Sequence, residues 1–266
     1  MTDRNVAKSL GRAIGASGLD WIVPDWPAPA RVGALVTTRR GGVSTGPLAE
    51  MNLGRKARDD TCALAENRRR LAGFLPASPV WLDQVHGTTV ATLTPETAAL
   101  PAPIADAAVT CELNVVCAIL TADCLPVLFA DREGSVVGAA HAGWRGLAAG
   151  VLEATIAALS DLGARRENLM AWLGPAIGPA RFEVGADVRA AFCADDHGAA
   201  TFFAPHAPAK WHADLYGLAR RRLSRSGVTR VSGGGYCTFT DEERFFSHRR
   251  DRGSGRMAAA VWLARE

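Results

Sequence analysis

The chain has 266 residues, of which 48% are hydrophobic and 21% are charged, and its formal net charge is +3. This composition suits a globular protein with a sizeable core, which we expect to form one domain over residues 1–266. The slight positive charge favours a phosphate-bearing ligand and is too small to predict nucleic-acid binding.

We expect no membrane partner, because no apolar stretch reaches the roughly 20 residues that a transmembrane helix needs. A cytoplasmic location is expected, because residues 1–20 lack the apolar core of a secretory signal. The six cysteines are scattered along the chain rather than concentrated in a small disulfide scaffold, which favours a reduced compartment.

Hydrophobic periodicity predicts strands and helices in an irregular order. The first 30 residues are a poorly defined N-terminal segment. Strands are predicted at residues 33–38, 80–85, 90–93, 107–110, 115–120, 127–130, 136–140, 169–173, 228–232 and 258–263. Helices are predicted at residues 61–74, 147–162, 186–192 and 213–226. Because helices do not alternate with strands one for one, we expect an α+β fold, a single domain with a mixed β-sheet core flanked by helices.

Three residues of the types that bind metals or act as nucleophiles each lie at the end of an apolar segment, next to glycine or proline. They are His86 in the string QVHG, Cys124 in TADCLPVLF and His141 in HAGWRG. Imidazole and thiolate ligands together suit zinc, which accepts three protein ligands and a water at catalytic sites. We therefore consider these three residues as both metal ligands and catalytic residues.

Other interpretations of the same residues remain open. Cys124, beside Asp123, suits a thiolate nucleophile paired with one histidine, without any metal. In a third interpretation the histidines are ordinary turn residues and Cys124 is a core thiol. A nucleophile needs one histidine, whereas a zinc site uses both.

Two segments are candidates for phosphate binding. Arg39 precedes Gly41 and Gly42 in the string TTRRGGVS, where a guanidinium and backbone N–H groups can meet one phosphate. Arg145 lies at the start of the helix that follows His141, where an anion is favoured. Each arginine could equally decorate a turn or bind a carboxylate.

Several strings in the same order resemble one known family. They are TTRRGGVS at 37–44, MNLG at 51–54, QVHG at 84–87, TADCLPVLF at 121–129, HAGWRG at 141–146 and GPAIGP at 174–179. The chain resembles, from residue 33 to residue 263, the family first named multicopper polyphenol oxidases or laccase-domain (YfiH-like) proteins, later described as purine nucleoside phosphorylases. One departure is visible, because residues 180–182 are Ala-Arg-Phe where the family often has Cys-Cys-Tyr.

The resemblance implies a fold related to bacterial toxin deamidases of the cytotoxic necrotizing factor type. It implies one zinc ion per chain on His86, Cys124 and His141, and phosphate binding by Arg39. The implied activities are phosphorolysis of adenosine, inosine and methylthioadenosine, and deamination of adenosine. Zinc deaminases use a carboxylate as the proton shuttle, and either Asp123 or Glu183 could serve in this chain. The expected partners are a purine nucleoside and phosphate, and the expected assembly is a monomer or weak homodimer.

Copper chemistry is not expected. A multicopper oxidase needs a trinuclear cluster fed by several His-x-His pairs, and the six histidines of this chain form no such pair. A zinc enzyme acting on purine nucleosides is favoured, and the alternatives are a metal-free cysteine hydrolase, a polyphenol oxidase and a binding protein with a structural zinc.

Overall fold

Two β-sheets packed face to face form the centre of the computed structural model, which describes residues 5–97 and 100–265. The strands are β1 (Val32–Val36), β2 (Val90–Thr92), β3 (Ala107–Thr110), β4 (Val116–Thr121), β5 (Leu125–Asp131), β6 (Val137–Ala142), β7 (Leu169–Leu173), β8 (Glu183–Gly185), β9 (Phe203–Ala207), β10 (Lys210–Ala213), β11 (Arg230–Gly233) and β12 (Met257–Leu263). The helices are α1 (Val6–Ala16), α2 (Thr61–Ala72), α3 (Trp144–Ala149), α4 (Val151–Asp161), α5 (Ala186–Cys193), α6 (Leu215–Arg225) and α7 (His248–Asp251).

The larger sheet has six strands in the order β11-β7-β5-β6-β3-β2, and the second sheet has the order β1-β12-β4. In the larger sheet, β11 pairs with β7 and β2 pairs with β3 in parallel, while the other pairs are antiparallel. A small sheet, β8-β10-β9, completes the strands. The expected α+β class with a mixed sheet and flanking helices is confirmed.

Three apolar layers hold the sheets and helices together. The layer between the two sheets includes Val36, Ile119 and Leu128. A second layer joins the outer face of the larger sheet to the helices, with Phe129 packed among residues such as Ile156 of α4. The third layer packs α1 and α2 on the outer face of the second sheet, β1-β12-β4. The central strands β1, β3 to β7 and β12 are buried almost throughout, which explains why their sequences are continuous apolar runs.

The N-terminal segment differs from the expectation. Residues 1–4 lie outside the described residues, and α1 begins at Val6. Asn5 caps this helix by accepting a hydrogen bond from the Lys8 N–H, and Leu10 and Ile14 are buried. The sequence pattern understates the helix because it carries Gly11 and Gly15, which have low helix propensity.

The predicted strand at 80–85 is wrong, because Val80 alone forms a β-bridge, with Cys117. The side chain of Gln84 makes the hydrogen bonds to β4 that a strand backbone would otherwise make. Its side-chain amide donates to the Leu120 carbonyl at 2.9 Å and accepts from the Leu120 N–H at 2.8 Å. The chain after Gln84 is therefore free to turn away from β4.

The helix predicted at 147–162 is two helices, since Gly150 adopts a φ of 104° between α3 and α4. None of the described helices combines the length and apolar character needed to cross a membrane.

Two glycine substitutions should have opposite effects on stability. A Cβ at Gly33 would lie 2.1 Å from the ring of Trp262, so Gly33→Ala should lower the free energy of unfolding by about 1–3 kcal/mol through overpacking. A Cβ at Gly11 in α1 meets nothing within 4 Å, and Gly11→Ala should raise that free energy by about 0.5–1 kcal/mol. Urea titration of both variants measures the difference, and equal effects would contradict this account of the packing.

Candidate metal centre and active-site cavity

Three separate segments bring His86, Cys124 and His141 together. In the antiparallel pair β5–β6, Leu125 lies opposite Ala142, so Cys124 just before β5 lies next to His141 near the end of β6. His86 comes from the loop that precedes β2. The ligand atoms of all three side chains lie within 4.8 Å of one another, and Cys124 Sγ is 3.8 Å from His86 Nε2.

This geometry fits a zinc ion. With Zn–S of about 2.3 Å and Zn–N of about 2.0–2.1 Å, a tetrahedral site separates sulfur and nitrogen ligands by about 3.6 Å. His141 binds a carboxylate through Nδ1, which leaves its Nε2 as the ligand atom. Among the described residues, His86, Cys124 and His141 form the group with metal-site spacing, so three protein ligands would leave one position open.

Asp106 organises both histidines. Its carboxylate is fully buried and lies 2.9 Å from His141 Nδ1. The same carboxylate accepts hydrogen bonds from the backbone N–H groups of Val85, His86 and Gly87, at 2.7–3.1 Å. Burial alone would raise the pKa of Asp106, but the hydrogen bonds from His141 and the backbone outweigh it and lower the pKa. A charged carboxylate therefore fixes the orientation of one imidazole and the loop of the other.

The Cys124 thiol and the His141 imidazole each shift the pKa of the other toward the charged form. Burial opposes ionisation of Cys124, but the charge of His141 and hydrogen bonds from both histidines lower its pKa to about 6. Burial likewise disfavours the charged form of His141, and the Cys124 thiolate and Asp106 raise its pKa to about 9. A thiolate at neutral pH is the form that binds metals and also the form that attacks substrates.

Glycine is required where α3 meets the centre. A Cβ at Gly143 would lie 2.9 Å from Cys124 Sγ and 3.0 Å from the ring of His86. A Cβ at Gly146 would lie 2.8 Å from the carbonyl oxygen of Gly87. The glycines of the string HAGWRG thus allow the first turn of α3 to pack directly on the candidate ligands.

Asp123 differs from the expected catalytic role. Its Oδ1 accepts a hydrogen bond from Thr238 at 2.6 Å, and its Oδ2 accepts from Ser247 Oγ at 3.0 Å and from the Arg249 N–H at 2.6 Å. A buried carboxylate that already accepts three hydrogen bonds is a poor proton shuttle. Asp123 instead connects the residue beside Cys124 to the segment that carries α7.

The centre opens into a cavity of about 920 Å³. Its wall includes Asp123 and all three candidate ligands, with Trp144 and Phe182 as aromatic walls. Five arginines and one lysine also line it, namely Arg55, Lys56, Arg68, Arg145, Arg249 and Arg256. The cavity thus combines the candidate metal centre with a strongly cationic wall.

Arg145 lies on this wall, as expected of a phosphate ligand, and its guanidinium stacks on the ring of Trp144 at 4.4 Å. Arg39, Gly41 and Gly42 are absent from the wall. The structure therefore brings together Arg145 and the three candidate ligands, and it separates the string TTRRGGVS from them.

Arg39 is held by the protein itself. Its Nε donates to the Ala49 carbonyl and its Nη1 to the Glu242 carbonyl, both at 3.0 Å, and its guanidinium lies over the ring of Phe246. The Gly41 N–H donates to the Glu50 carboxylate at 2.8 Å. The expected phosphate site at Arg39, Gly41 and Gly42 is thus not supported, because these groups stabilise a loop.

Sequence reasoning missed three arginines that meet at one turn. Arg68 donates to the Leu53 carbonyl through Nε and Nη2, and Arg256 packs against Gly54. Arg55 follows this turn. Burial lowers the pKa of Arg68, and the nearby charge of Arg55 lowers it further. We call Arg55, Arg68 and Arg256 the arginine cluster. In the part of the chain that the structure describes, no carboxylate forms an ion pair with any of the three.

The fold and the cavity define the class of this protein, an α+β protein with a candidate His-Cys-His metal centre. The family model described as multi-copper polyphenol oxidoreductase laccase matches residues 33–264. The chain therefore belongs to this family.

Relatives that match over nearly their whole length carry a consistent name. A purine nucleoside phosphorylase of Pseudomonas aeruginosa is 55% identical over 244 residues, which cover 91% of this chain and 98% of the relative. The purine nucleoside phosphorylase YfiH of Escherichia coli is 52% identical with the same coverage.

Solved structures share the fold. A protein from Neisseria meningitidis superposes with a TM-score of 0.88 at 48% identity, and the match covers 92% of this chain and all of that one. YlmD from Geobacillus stearothermophilus gives a TM-score of 0.81 at 31% identity, covering 92% and 96% of the two chains.

Replacement of Asp106 should weaken metal binding. Asp106→Ala removes the acceptor of His141 and of the His86 loop, and the dissociation constant for Zn²⁺ should rise by about 10–100-fold. Competition with a chromophoric chelator measures this constant.

Asp131→Ala is the matched control, because Asp131 is also buried but accepts from Ser135 and Val136 at the far end of β5. Equal losses of Zn²⁺ affinity in the two variants would show that general loosening of the fold, not the Asp106 contacts, sets the affinity.

Proposed function

We propose that this protein is a zinc-dependent purine nucleoside phosphorylase. It cleaves nucleosides such as adenosine, inosine and methylthioadenosine with phosphate, and it releases the free base and the ribose 1-phosphate. One observation carries this proposal: a single cavity holds both the His-Cys-His centre and an arginine cluster without carboxylate partners. The names of the similar proteins support the same reaction.

Zinc is the metal that suits the donor set of two imidazoles and one thiolate. His86, Cys124 and His141 would hold it, and Asp106 would keep His141 in the tautomer whose Nε2 faces the ion. When bound, zinc supplies Lewis-acid polarisation of an oxygen ligand. The family description mentions copper, but a trinuclear copper cluster needs several histidine pairs, and six histidines with no His-x-His pair do not fit it.

The arginine cluster is the proposed site of the phosphate co-substrate. Arg256 donates through Nη1 to the Ser254 and Gly255 carbonyls, which fixes the guanidinium in the wall. Burial lowers the pKa of Arg256, while the nearby charges of Cys124 and Asp123 raise it. This arginine thus joins the cluster to the metal centre, and guanidinium groups bind phosphate through paired charge-assisted hydrogen bonds.

The residues of the cavity have separate tasks in phosphorolysis. The arginine cluster holds the phosphate and orients one of its oxygens toward the anomeric carbon of the ribose. Trp144 and Phe182 offer apolar surfaces to the nucleoside. The transition state carries positive charge on the ribose, by analogy with glycoside cleavage, so a bound phosphate anion stabilises it.

Deamination of adenosine is proposed as a second reaction of the same centre, with water instead of phosphate as the nucleophile. We do not assign its proton shuttle to Asp123, since the oxygens of this carboxylate already accept hydrogen bonds from Thr238, Ser247 and Arg249. Deamination should therefore persist without phosphate, whereas base release should not.

The zinc assignment is tested by metal content and product analysis. The purified protein should hold one zinc per chain, and chelation should abolish base release from adenosine and inosine, with recovery on zinc return. His86→Ala, Cys124→Ala and His141→Ala should each lose the metal and the activity. Undiminished turnover by verified metal-free protein, with a substrate adduct on Cys124 in acid-quenched mass spectra, would instead establish the cysteine-hydrolase alternative.

The phosphate assignment is tested by a comparison of two arginines. Arg256→Gln removes a charged donor from the cavity and should raise the phosphate KM by about tenfold or more, well above its effect on the nucleoside KM. Arg39→Gln should lower the thermal midpoint of unfolding and leave the phosphate KM near that of the unmodified protein. A selective rise of the phosphate KM in Arg39→Gln alone would return the phosphate to the string TTRRGGVS.

A further inference from the structure

The cavity carries more positive charge than one phosphate needs. Its wall has five arginines and Lys56, against two carboxylates. Asp83 is already within 2.5 Å of Lys56, and Asp123 accepts three hydrogen bonds from neighbouring residues. Among the described residues, none of the five arginines of the wall forms an ion pair with a carboxylate, so their charges are left to be balanced by anions that the ligands bring.

Two of these arginines lie outside the arginine cluster. Arg145 belongs to α3 and Arg249 to α7, whereas the cluster surrounds the turn at 52–55. Each guanidinium lies over an aromatic ring of the wall, Arg145 over Trp144 at 4.4 Å and Arg249 over Phe182 at 5.4 Å. Stacking fixes the plane of a guanidinium and leaves its N–H groups directed outward at the edge.

Most of the donors on these two arginines are free to bind a ligand. Within the described ranges 5–97 and 100–265, the Arg145 side chain stacks on Trp144 and makes no hydrogen bond or ion pair. The Arg249 side chain donates through Nη1 to the Glu183 carbonyl, and its other nitrogens make no hydrogen bond in the same ranges. Two oriented cations without carboxylate partners are a suitable binding site for a second phosphate group.

We propose that Arg145 and Arg249 form a subsite for the 5′-phosphate of a purine nucleoside monophosphate, so that the enzyme also accepts nucleotides. The inference rests on the proposed phosphorolysis. The cavity, about 920 Å³, lies near the top of the range of about 300–1,000 Å³ for small-molecule sites, which leaves space beyond a nucleoside.

The stereochemistry of the ribose selects the 5′ position. In a β-nucleoside the base and the 5′-carbon project from one face of the ring, and the 2′- and 3′-hydroxyls lie on the other. In-line attack on the anomeric carbon comes from the face opposite the base. A phosphate on the 2′ or 3′ oxygen would crowd that face, whereas a 5′-phosphate leaves it open.

The reaction on such a substrate balances without another reactant. The bond between the anomeric carbon and the purine nitrogen breaks, and its electron pair stays on the purine. A phosphate oxygen bonds to the anomeric carbon, and the proton of the hydrogen phosphate is transferred to the purine. The products are the free base and ribose 1,5-bisphosphate.

Binding is measured first, with C-nucleoside analogues of adenosine and of AMP, whose carbon–carbon glycosidic bond prevents turnover. Calorimetry on the zinc-loaded protein should show that the monophosphate binds about 10–100-fold more tightly than the nucleoside analogue. Arg145→Gln and Arg249→Gln should each reduce that ratio by about tenfold. Arg189→Gln is the matched control and should keep the ratio, because this guanidinium also stacks on a ring, that of Trp211, but lies outside the cavity wall.

Saturating inorganic phosphate separates the two anion sites. Under the proposal it leaves the affinity of the monophosphate analogue unchanged or higher. Displacement of the analogue by phosphate, together with loss of the ratio in Arg256→Gln, would place the 5′-phosphate in the arginine cluster and overturn the subsite.

Turnover of adenosine and AMP, followed by chromatography of adenine and ³¹P spectra of the sugar phosphates, separates the two proposals. Phosphorolysis of adenosine without any advantage of the monophosphate analogue overturns the subsite and leaves the proposed function standing. An arginine-dependent advantage without release of base from either substrate supports the subsite and overturns the proposed function.

Discussion

The buried carboxylate of Asp106 is the interaction on which the candidate centre depends. It accepts from the ring of His141 and from three successive N–H groups of the loop that carries His86. The sheet places it there, because Asp106 directly precedes β3 and the Asp106 carbonyl accepts from the His141 N–H at 2.7 Å. A single group therefore sets the separation of two imidazoles that are 55 residues apart in the sequence. Its burial also strengthens these hydrogen bonds, since water does not compete for them.

The centre also contains strained backbone that its neighbours stabilise. His86 and Asp123 adopt φ values of 63° and 86°, in the left-handed region that non-glycine residues rarely enter. Each such residue costs on the order of 1–3 kcal/mol and persists only where surrounding contacts determine it. The Asp106 carboxylate stabilises the turn at His86, and hydrogen bonds to its own side chain stabilise the turn at Asp123. These contacts orient the histidine ring and the adjacent Cys124 toward the same point.

Cys124 and His141 could be chosen from the sequence because they lie at the ends of apolar strands, and strand ends converge at the edges of sheets. His86 could be chosen by its apolar context although the segment before it forms no strand, and the Asp106 contacts place its loop at the centre. Asp106 could have been found by the same reasoning, as the acidic residue directly before the apolar run at 107–109. The phosphate site could not, because the string TTRRGGVS does not show that Arg39 binds carbonyls of residues 49 and 242. The arginine cluster consists of residues 55, 68 and 256, which are distant in sequence and meet only in the folded chain. No local sequence pattern could therefore predict it. The central strands were predictable because they are buried almost throughout and therefore form apolar runs in the sequence. Helix α1 was not predicted because it carries two glycines. The segment 80–85 forms no strand, and the Gln84 side chain makes the hydrogen bonds to the Leu120 backbone there.

The charge of the cavity places a physical condition on the proposed chemistry. A cationic wall opposes the positive charge that develops on the ribose as the glycosidic bond breaks, because like charges repel. The Cys124 thiolate offsets part of that field, but it would be shared with a metal ion. Under the proposed function, a bound phosphate would change the balance, since it would neutralise the arginine cluster and place its negative oxygens next to the anomeric carbon. The same cations that bind phosphate in this proposal would then suppress cleavage until phosphate is present. This coupling favours phosphorolysis over hydrolysis of the glycosidic bond without a separate gate that excludes water.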